Sequence, residues 1–353
     1  MQPTIRAGLA IAIFAVLSTG AESSGKDTRT EILKRARVWS PTAISSMDLF
    51  NGPQEPGAFA PHETVSCTYL NRSFAGHSPK FWCRLENGDE VKVKFGGTNG
   101  EVYGEVMATR LLWALGFGAD RMYSVNLICR GCPDGFGGIA RPNGEQRFSP
   151  AAIERKAPGA EWKEGGEGWA WQELDSVNAT AGGASQEQRD AFKLLAVLLQ
   201  HTDSKRQQQR IVCLDKPHND QDACDHPFLM INDLGLTFGH ATHTNSDSSS
   251  TNLVAWKRTP VWRDQTGCVG NLPKSFTGTL DNPVISEGGR AFLTSLLMQL
   301  SDRQIADMFR AAQVDQRLRE PGHALSGLST VREWADAFKE KREEIASRHC
   351  QPT

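Results

Sequence analysis

The stretch from Leu194 to Gly239 constrains this chain more than any other. LLAVLLQHTDSK runs apolar residues into His201-Thr202-Asp203-Ser204-Lys205, with Gln208 five positions beyond Asp203. After an insertion, PFLMINDLG ends a second apolar, strand-like run at Asp233-Leu234-Gly235. Two carboxylates, each delivered by the end of a buried element and separated by a loop, suit a metal-assisted phosphoryl transfer. One would act on the nucleophile and the other would hold the metal. Taken singly, an Asp after a helix is more often a cap or a turn, and D-x-G is a common turn. The remaining parts of such a site must therefore come from elsewhere in the chain.

The chain has 353 residues and a formal net charge of −2, which gives no sequence-wide case for a nucleic acid or an anionic membrane as partner. Residues 1–23 have the order of a secretory signal: a charge at Arg6, an apolar core from Ala7 to Leu17, then small residues up to Ala21. That core is short for a membrane span, and no later segment is apolar enough for one. An uncleaved anchor is the rival reading. The expectation is a secreted or periplasmic protein without an integral membrane segment after signal removal. Eight cysteines follow, and an even count behind an export signal favours disulfides. Local pairing joins Cys67 to Cys83, Cys129 to Cys132 and Cys213 to Cys224, leaving Cys268 with Cys350. Closing the Cys213–Cys224 loop is worth about 3 kcal/mol in the chain-entropy picture. Cys129-x-x-Cys132 also has zinc-ligand spacing, but without a second such pair.

Residues 24–65 read as a polar, mobile leader followed by a proline-containing segment that wraps without packing. From Ser66 the pattern changes to short β-prone runs at Ser66–Ser73, Lys80–Glu86 and Glu90–Phe95, with an Asn87-Gly88 hairpin turn. The turn Gly76-His77-Ser78-Pro79 is positioned to cover phosphates, or is an ordinary hairpin turn. Val91-Lys92-Val93-Lys94-Phe95 puts Lys92 and Lys94 on one strand face. Glu101–Leu115 reads as a helix stopped by Gly116, with Glu101 and Glu105 on one side of it. Met122–Cys129 and the shorter Ala151–Lys156 are further strands, and Gly131–Pro150 between them reads as loop. A glycine-rich stretch carrying Trp162, Trp169 and Trp171 marks a boundary, and the tryptophans read as packing residues. Gln186–His201 is an amphipathic, buried helix, and Ala291–Leu300, Asp302–Gln313 and Val331–Arg348 are helical. His240-x-x-His243 has metal-ligand spacing in a polar loop, where two histidines are more often solvated.

In order, the strand lysine, helix glutamate, H-x-D-x-K-x-x-Q (His201–Gln208) and D-x-G (Asp233–Gly235) resemble the motif set of protein kinases. The closer resemblance is to atypical members, the lipid-kinase, HipA-like and secreted-kinase groups, and to exported bacterial kinase-like proteins. It covers most of the chain from Ser66 onward. It implies an α+β, bilobal protein-kinase-like fold, with a β-rich N-lobe over 66–157 and a mostly helical C-lobe over 158–353. It also implies ATP as nucleotide, Mg2+ or Mn2+ as metal, and an unknown hydroxyl-bearing acceptor, protein or small molecule. By that resemblance Asp203 is the catalytic base, with His201 and Lys205 beside it, and Lys205 contacts the transferred phosphate. Gln208 and Asp233 hold the metal, and Lys94 pairs with Glu105. Gly76, Ser78, Lys92 and Glu154 are assigned with them to nucleotide binding. Which of Lys92 and Lys94, and which of Glu101 and Glu105, makes the ion pair stays open. Thr202 and Gln208 depart from the arginine and asparagine of the kinase pattern, and no glycine-rich loop or A-P-E is present. A nucleotidyl or glutamyl transferase on the same scaffold, and a catalytically silent binding scaffold, are the alternatives.

Overall fold

The structure is a computed structural model that describes residues 28–350, apart from positions 75, 77, 137, 142–143, 164–165, 217–223, 246–249, 265 and 318–328. The export signal expected at 1–23, and His77 of the phosphate-covering turn, lie outside the described residues. A short helix, α1 (Arg29–Arg35), begins the described chain. It is started by a reciprocal capping box between Thr28 and Glu31, and it buries Ile32 and Leu33. The expected mobile leader is therefore corrected over this part, since a single apolar turn in a charged segment is enough to dock it. Residues 41–65 also pack. Ile44, Leu49 and Phe59 are buried, and the Tyr123 hydroxyl donates to the carbonyl of Pro53 at 2.8 Å.

Next come β1 (Thr64–Leu70), β2 (Lys80–Leu85), β3 (Glu90–Phe95), α2 (Glu101–Leu115), β4 (Gly118–Ala119), β5 (Arg121–Arg130), β6 (Ile139–Arg141) and β7 (Glu145–Arg155). The strands of this sheet run in the order β3-β2-β1-β5-β7-β6, and β3 also pairs with β7. That last pairing closes β3, β2, β1, β5 and β7 into a five-stranded ring. All its neighbours are antiparallel except β1 and β5. The interior is filled by alternate residues, among them Phe81, Cys83, Val91, Val93, Phe95, Val125, Phe148 and Ile153. Period-2 alternation then fixes the outer face, where Lys80 lies opposite Lys94 and Trp82 opposite Lys92.

Gly131–Pro150, expected to be loop throughout, instead contains β6 and the first half of β7. Pro150 disguised the strand. The register passes from Val125 opposite Ala151 to Leu127 opposite Phe148, so Ser149 and Pro150 together face Asn126. A bulge of this kind is a place where a strand tolerates a residue without an N–H.

The rest of the chain forms β8 (Ala160–Glu161), α3 (Gln186–Leu199), β9 (Gln209–Cys213), β10 (Pro227–Ile231), α4 (Leu253–Arg258), α5 (Glu287–Leu297), α6 (Asp302–Ala311) and α7 (Val331–Ala346). A second sheet runs β4-β10-β9-β8. One large apolar cluster joins α2, α3, α5, α6 and α7 with this sheet. Trp162, Trp169 and Trp171 are buried in it, as packing residues should be. All eight cysteines are paired, as Cys67–Cys83, Cys129–Cys132, Cys213–Cys224 and Cys268–Cys350. The disulfide takes both sulfurs of the zinc-spaced pair. The four bridges are consistent with an oxidising environment. Among the described residues no helix is long and apolar enough to cross a membrane.

Candidate active site

Lys94 resolves the open choice of ion pair. Its ammonium lies 2.5 Å from Glu101 Oε2, 2.6 Å from Glu105 Oε1 and 3.3 Å from Asp233 Oδ1, and the side chain is 1% exposed. Both glutamates take part because they lie one turn apart on α2. An ammonium has three protons to donate, and these three carboxylates account for all of them. Burial works against the charge on Lys94, but Asp233, Glu105 and Glu101 outweigh it and hold its pKa well above the usual lysine value. Asp233 is pulled well below the ordinary carboxylate range because Lys94 outweighs its burial. Burial instead pushes Glu105 well above that range, and its Oε2 is buried without a hydrogen-bond partner.

Two glycines allow α2 to come this close to the Asp233 loop. A Cβ on Gly235 would sit 2.6 Å from Glu101 Cγ, and one on Gly104 would sit 2.8 Å from the Gly235 carbonyl oxygen. The glycine of the D-x-G motif is thus required by contact with the helix that carries the glutamates.

Lys92, two residues earlier on the same strand face, is held differently. It pairs with Glu154, which lies directly opposite on β7. Glu154 also takes Lys156 at 2.7 Å, Lys156 takes Asp120 at 2.9 Å, and Asp120 takes Arg210 at 2.5 Å. Burial opposes ionisation of Glu154, but Lys156 and Lys92 prevail and lower its pKa to about 2.

The opposite wall is made by the chain leaving α3. Gln200 ends that helix in a left-handed conformation (φ 54°), which turns His201 inward. The His201 ring is fully buried, neither nitrogen has a hydrogen-bond partner, and burial lowers its pKa to about 4. The imidazole is therefore neutral at pH 7 and works as a packing group beneath the loop, beside Trp171. Asp203 Oδ2 accepts from Lys205 Nζ and from Gln208 Nε2, each at 3.0 Å. Its Oδ1 accepts from Asn245 Nδ2 at 3.2 Å. The loop is fastened from behind. The Ser204 hydroxyl accepts from the N–H groups of Thr279 and Leu280, and the Ser204 carbonyl accepts from the Thr279 hydroxyl at 2.6 Å. Asp233 leaves the end of β10, and its Oδ1 accepts the Gly235 N–H at 3.2 Å.

These walls enclose a cavity of about 680 Å3 lined by Gly76, Ser78, Lys92, Glu101, Asp203, Lys205, Gln208 and Asp233. Of the expected residues, Lys94, Glu105, Glu154 and His201 lie behind this lining. Lys80, Trp82, Phe74 and Asn245 also line it, and sequence reasoning missed all four. The signal for Lys80 was available: KFWCRL alternates in register with EVKVKF across the Asn87-Gly88 turn. Asn245 carried none, because its link to Asp203 spans 42 residues. Neither His240 nor His243 is among the residues that line the cavity. The His243 ring lies edge-on to Phe276, and His240 is exposed.

Glu101, Glu105 and Asp233 bring carboxylate oxygens within 4.8 Å of one another. Magnesium and manganese take oxygen ligands, so this donor set fits either ion. Gln208 spends its amide N–H on Asp203 and keeps its oxygen free of any bond among the described residues.

No protein-family model and no curated protein matches the sequence. Among solved structures, the fold is similar to the crystal structure of the Helicobacter pylori proinflammatory kinase CtkA. That match has 10% sequence identity, covers 81% of this chain and 95% of that one, and has a TM-score of 0.41. It is also similar to the crystal structure of the Golgi casein kinase, at 11% identity over 89% of this chain and 78% of that one, with a TM-score of 0.33.

Proposed function

We propose that this chain is an exported, atypical kinase that moves the terminal phosphoryl group of ATP to a hydroxyl of a protein or small molecule. Its fold would be the bilobal protein-kinase-like one, with the lobes divided near residue 157. One observation carries the reading. Residues scattered from Lys92 to Asp233 converge on one cavity, and they are the residue types that phosphoryl transfer needs.

Such a reaction needs positioning and charge compensation more than covalent chemistry. Asp203 faces the cavity, held in place by Lys205, Gln208 and Asn245. It would orient the acceptor hydroxyl and take its proton as the new O–P bond forms and the bond to the departing ADP breaks. Lys205, 3.0 Å from Asp203, would offset charge on the phosphoryl group in transit. Phe74, Trp82 and Leu236 supply apolar lining for a base. Mg2+ or Mn2+, held by Asp233 with Glu101, Glu105 or the Gln208 amide oxygen, would neutralise phosphate charge. The four disulfides support the export reading.

The test is incubation of the oxidised full chain with ATP and Mg2+ or Mn2+, followed by mass spectrometry of the protein and of candidate hydroxyl acceptors. A phosphoryl adduct that disappears in Asp203→Ala supports the reading. A nucleotidyl adduct, or no adduct together with no ATP-dependent thermal shift, overturns it.

A further inference from the structure

Resting on that reading, we infer that Lys80, at the start of β2, is the lysine that grips the phosphate chain of the bound nucleotide, while Lys94 serves to hold the acidic cluster together. Lys94 has no proton left to offer. Its three donors meet Glu101, Glu105 and Asp233, its side chain is 1% exposed, and it lies outside the lining of the cavity. Lys80 differs on each count. It lies directly opposite Lys94 in the β2–β3 register, so its side chain leaves the same face of the sheet. It lines the cavity and is partly buried there. Among the described residues its ammonium has no ion pair and no hydrogen bond.

The other two lysines of the lining are already paired. Lys92 is held by Glu154, and Lys205 by Asp203. Lys80 Nζ also lies against Gly76, where an added Cβ would meet it at 2.9 Å. Its ammonium is thus tucked under the β1–β2 turn. Two like charges facing each other across strands repel, but here three carboxylates surround Lys94, so Lys80 stands beside an acidic cluster. Burial, together with Lys94, still lowers the Lys80 pKa. A polyphosphate anion entering the cavity would give Lys80 the direct ion pair that it lacks among the described residues. The ligand class is therefore a nucleoside di- or triphosphate, gripped through its phosphates.

The experiment compares Lys80→Met, which keeps most of the alkyl stem, and Lys80→Arg with the wild type, as oxidised full chains. Binding of Mg-ATP, Mg-ADP, adenosine and inorganic tripolyphosphate is followed by calorimetry. Lys80→Met should weaken ATP binding about 10- to 100-fold, as loss of one charge-assisted contact does. It should weaken ADP less and leave adenosine unchanged, and Lys80→Arg should recover most of the loss. Equal weakening of ATP and adenosine, or unchanged ATP binding, overturns the inference and leaves the nucleotide reading standing. Tripolyphosphate binding that depends on Lys80, in a protein that ignores ATP, overturns the nucleotide as ligand and with it the inference as stated, leaving Lys80 a contact for phosphate only. A wild type that binds neither overturns both.

Discussion

Lys92 and Lys94 leave the same strand face two residues apart, yet they belong to opposite kinds of charge network. Lys92 begins an alternating chain through Glu154, Lys156, Asp120 and Arg210 to Glu161, in which three cations meet three carboxylates. Lys94 sits among three carboxylates alone. A balanced buried chain answers its own desolvation, and removing one member leaves the others stranded. An unbalanced cluster stays acidic, and it keeps that excess where a cation or a cationic side chain can use it. The first arrangement supports the wall, and the second prepares the site.

The largest expected effect breaks the acidic cluster. Asp233→Ala should lower phosphoryl transfer about 1000-fold, the scale for loss of a group that stabilises transition-state charge, while the fold persists; steady-state transfer and circular dichroism read the two separately. Asp203→Ala should cost about 100-fold or more in turnover, the scale of a lost general base. It should leave ATP affinity within a few-fold, so a parallel collapse of binding would count against its role. In stability the order reverses. Glu154→Ala strands Lys92, while Lys156 keeps Asp120, and should cost about 3 kcal/mol in chemical denaturation. Glu105→Gln keeps an acceptor for Lys94 and should cost less than about 1 kcal/mol.

The same comparison can be read in the pH profile. With a folded pKa near 2 against an ordinary 4.5, Glu154 contributes stability that is present above pH 4.5 and lost as pH falls toward 2. His201 acts in a higher window. The unfolded chain takes its proton near pH 6.5 and the folded chain resists it to about 4, so stability falls as pH drops through that range. His201→Leu should flatten the decline between pH 6.5 and 4 and leave the lower window as it is. Denaturation midpoints measured across both windows test this.

Much of the site was legible because its members sit at the ends of strongly patterned elements. β3 and α2 span the residues expected of them, and Asp203 and Asp233 follow long apolar runs. What was illegible depends on pairing between distant segments. Pro150 hid a strand that only its bulge against β5 makes possible. Glu154 is spent on two lysines, a fact set by register across β3 and β7. Lys80 matters only because its cross-strand partner is saturated. His201 carries catalytic-loop spacing but is buried without a polar contact, and a single sequence does not distinguish these two conditions.

The closed ring of strands has a mechanical consequence. A ring has no free edge along which one strand can slide past another, so Lys80, Trp82, Lys92 and Lys94 move as one piece. Helix α2 is packed in the other apolar cluster, with α3 and α6. It packs on β5 and β7 of the ring as well, so Glu101 and Glu105 are held beside Lys94 by packing and not by the ion pairs alone.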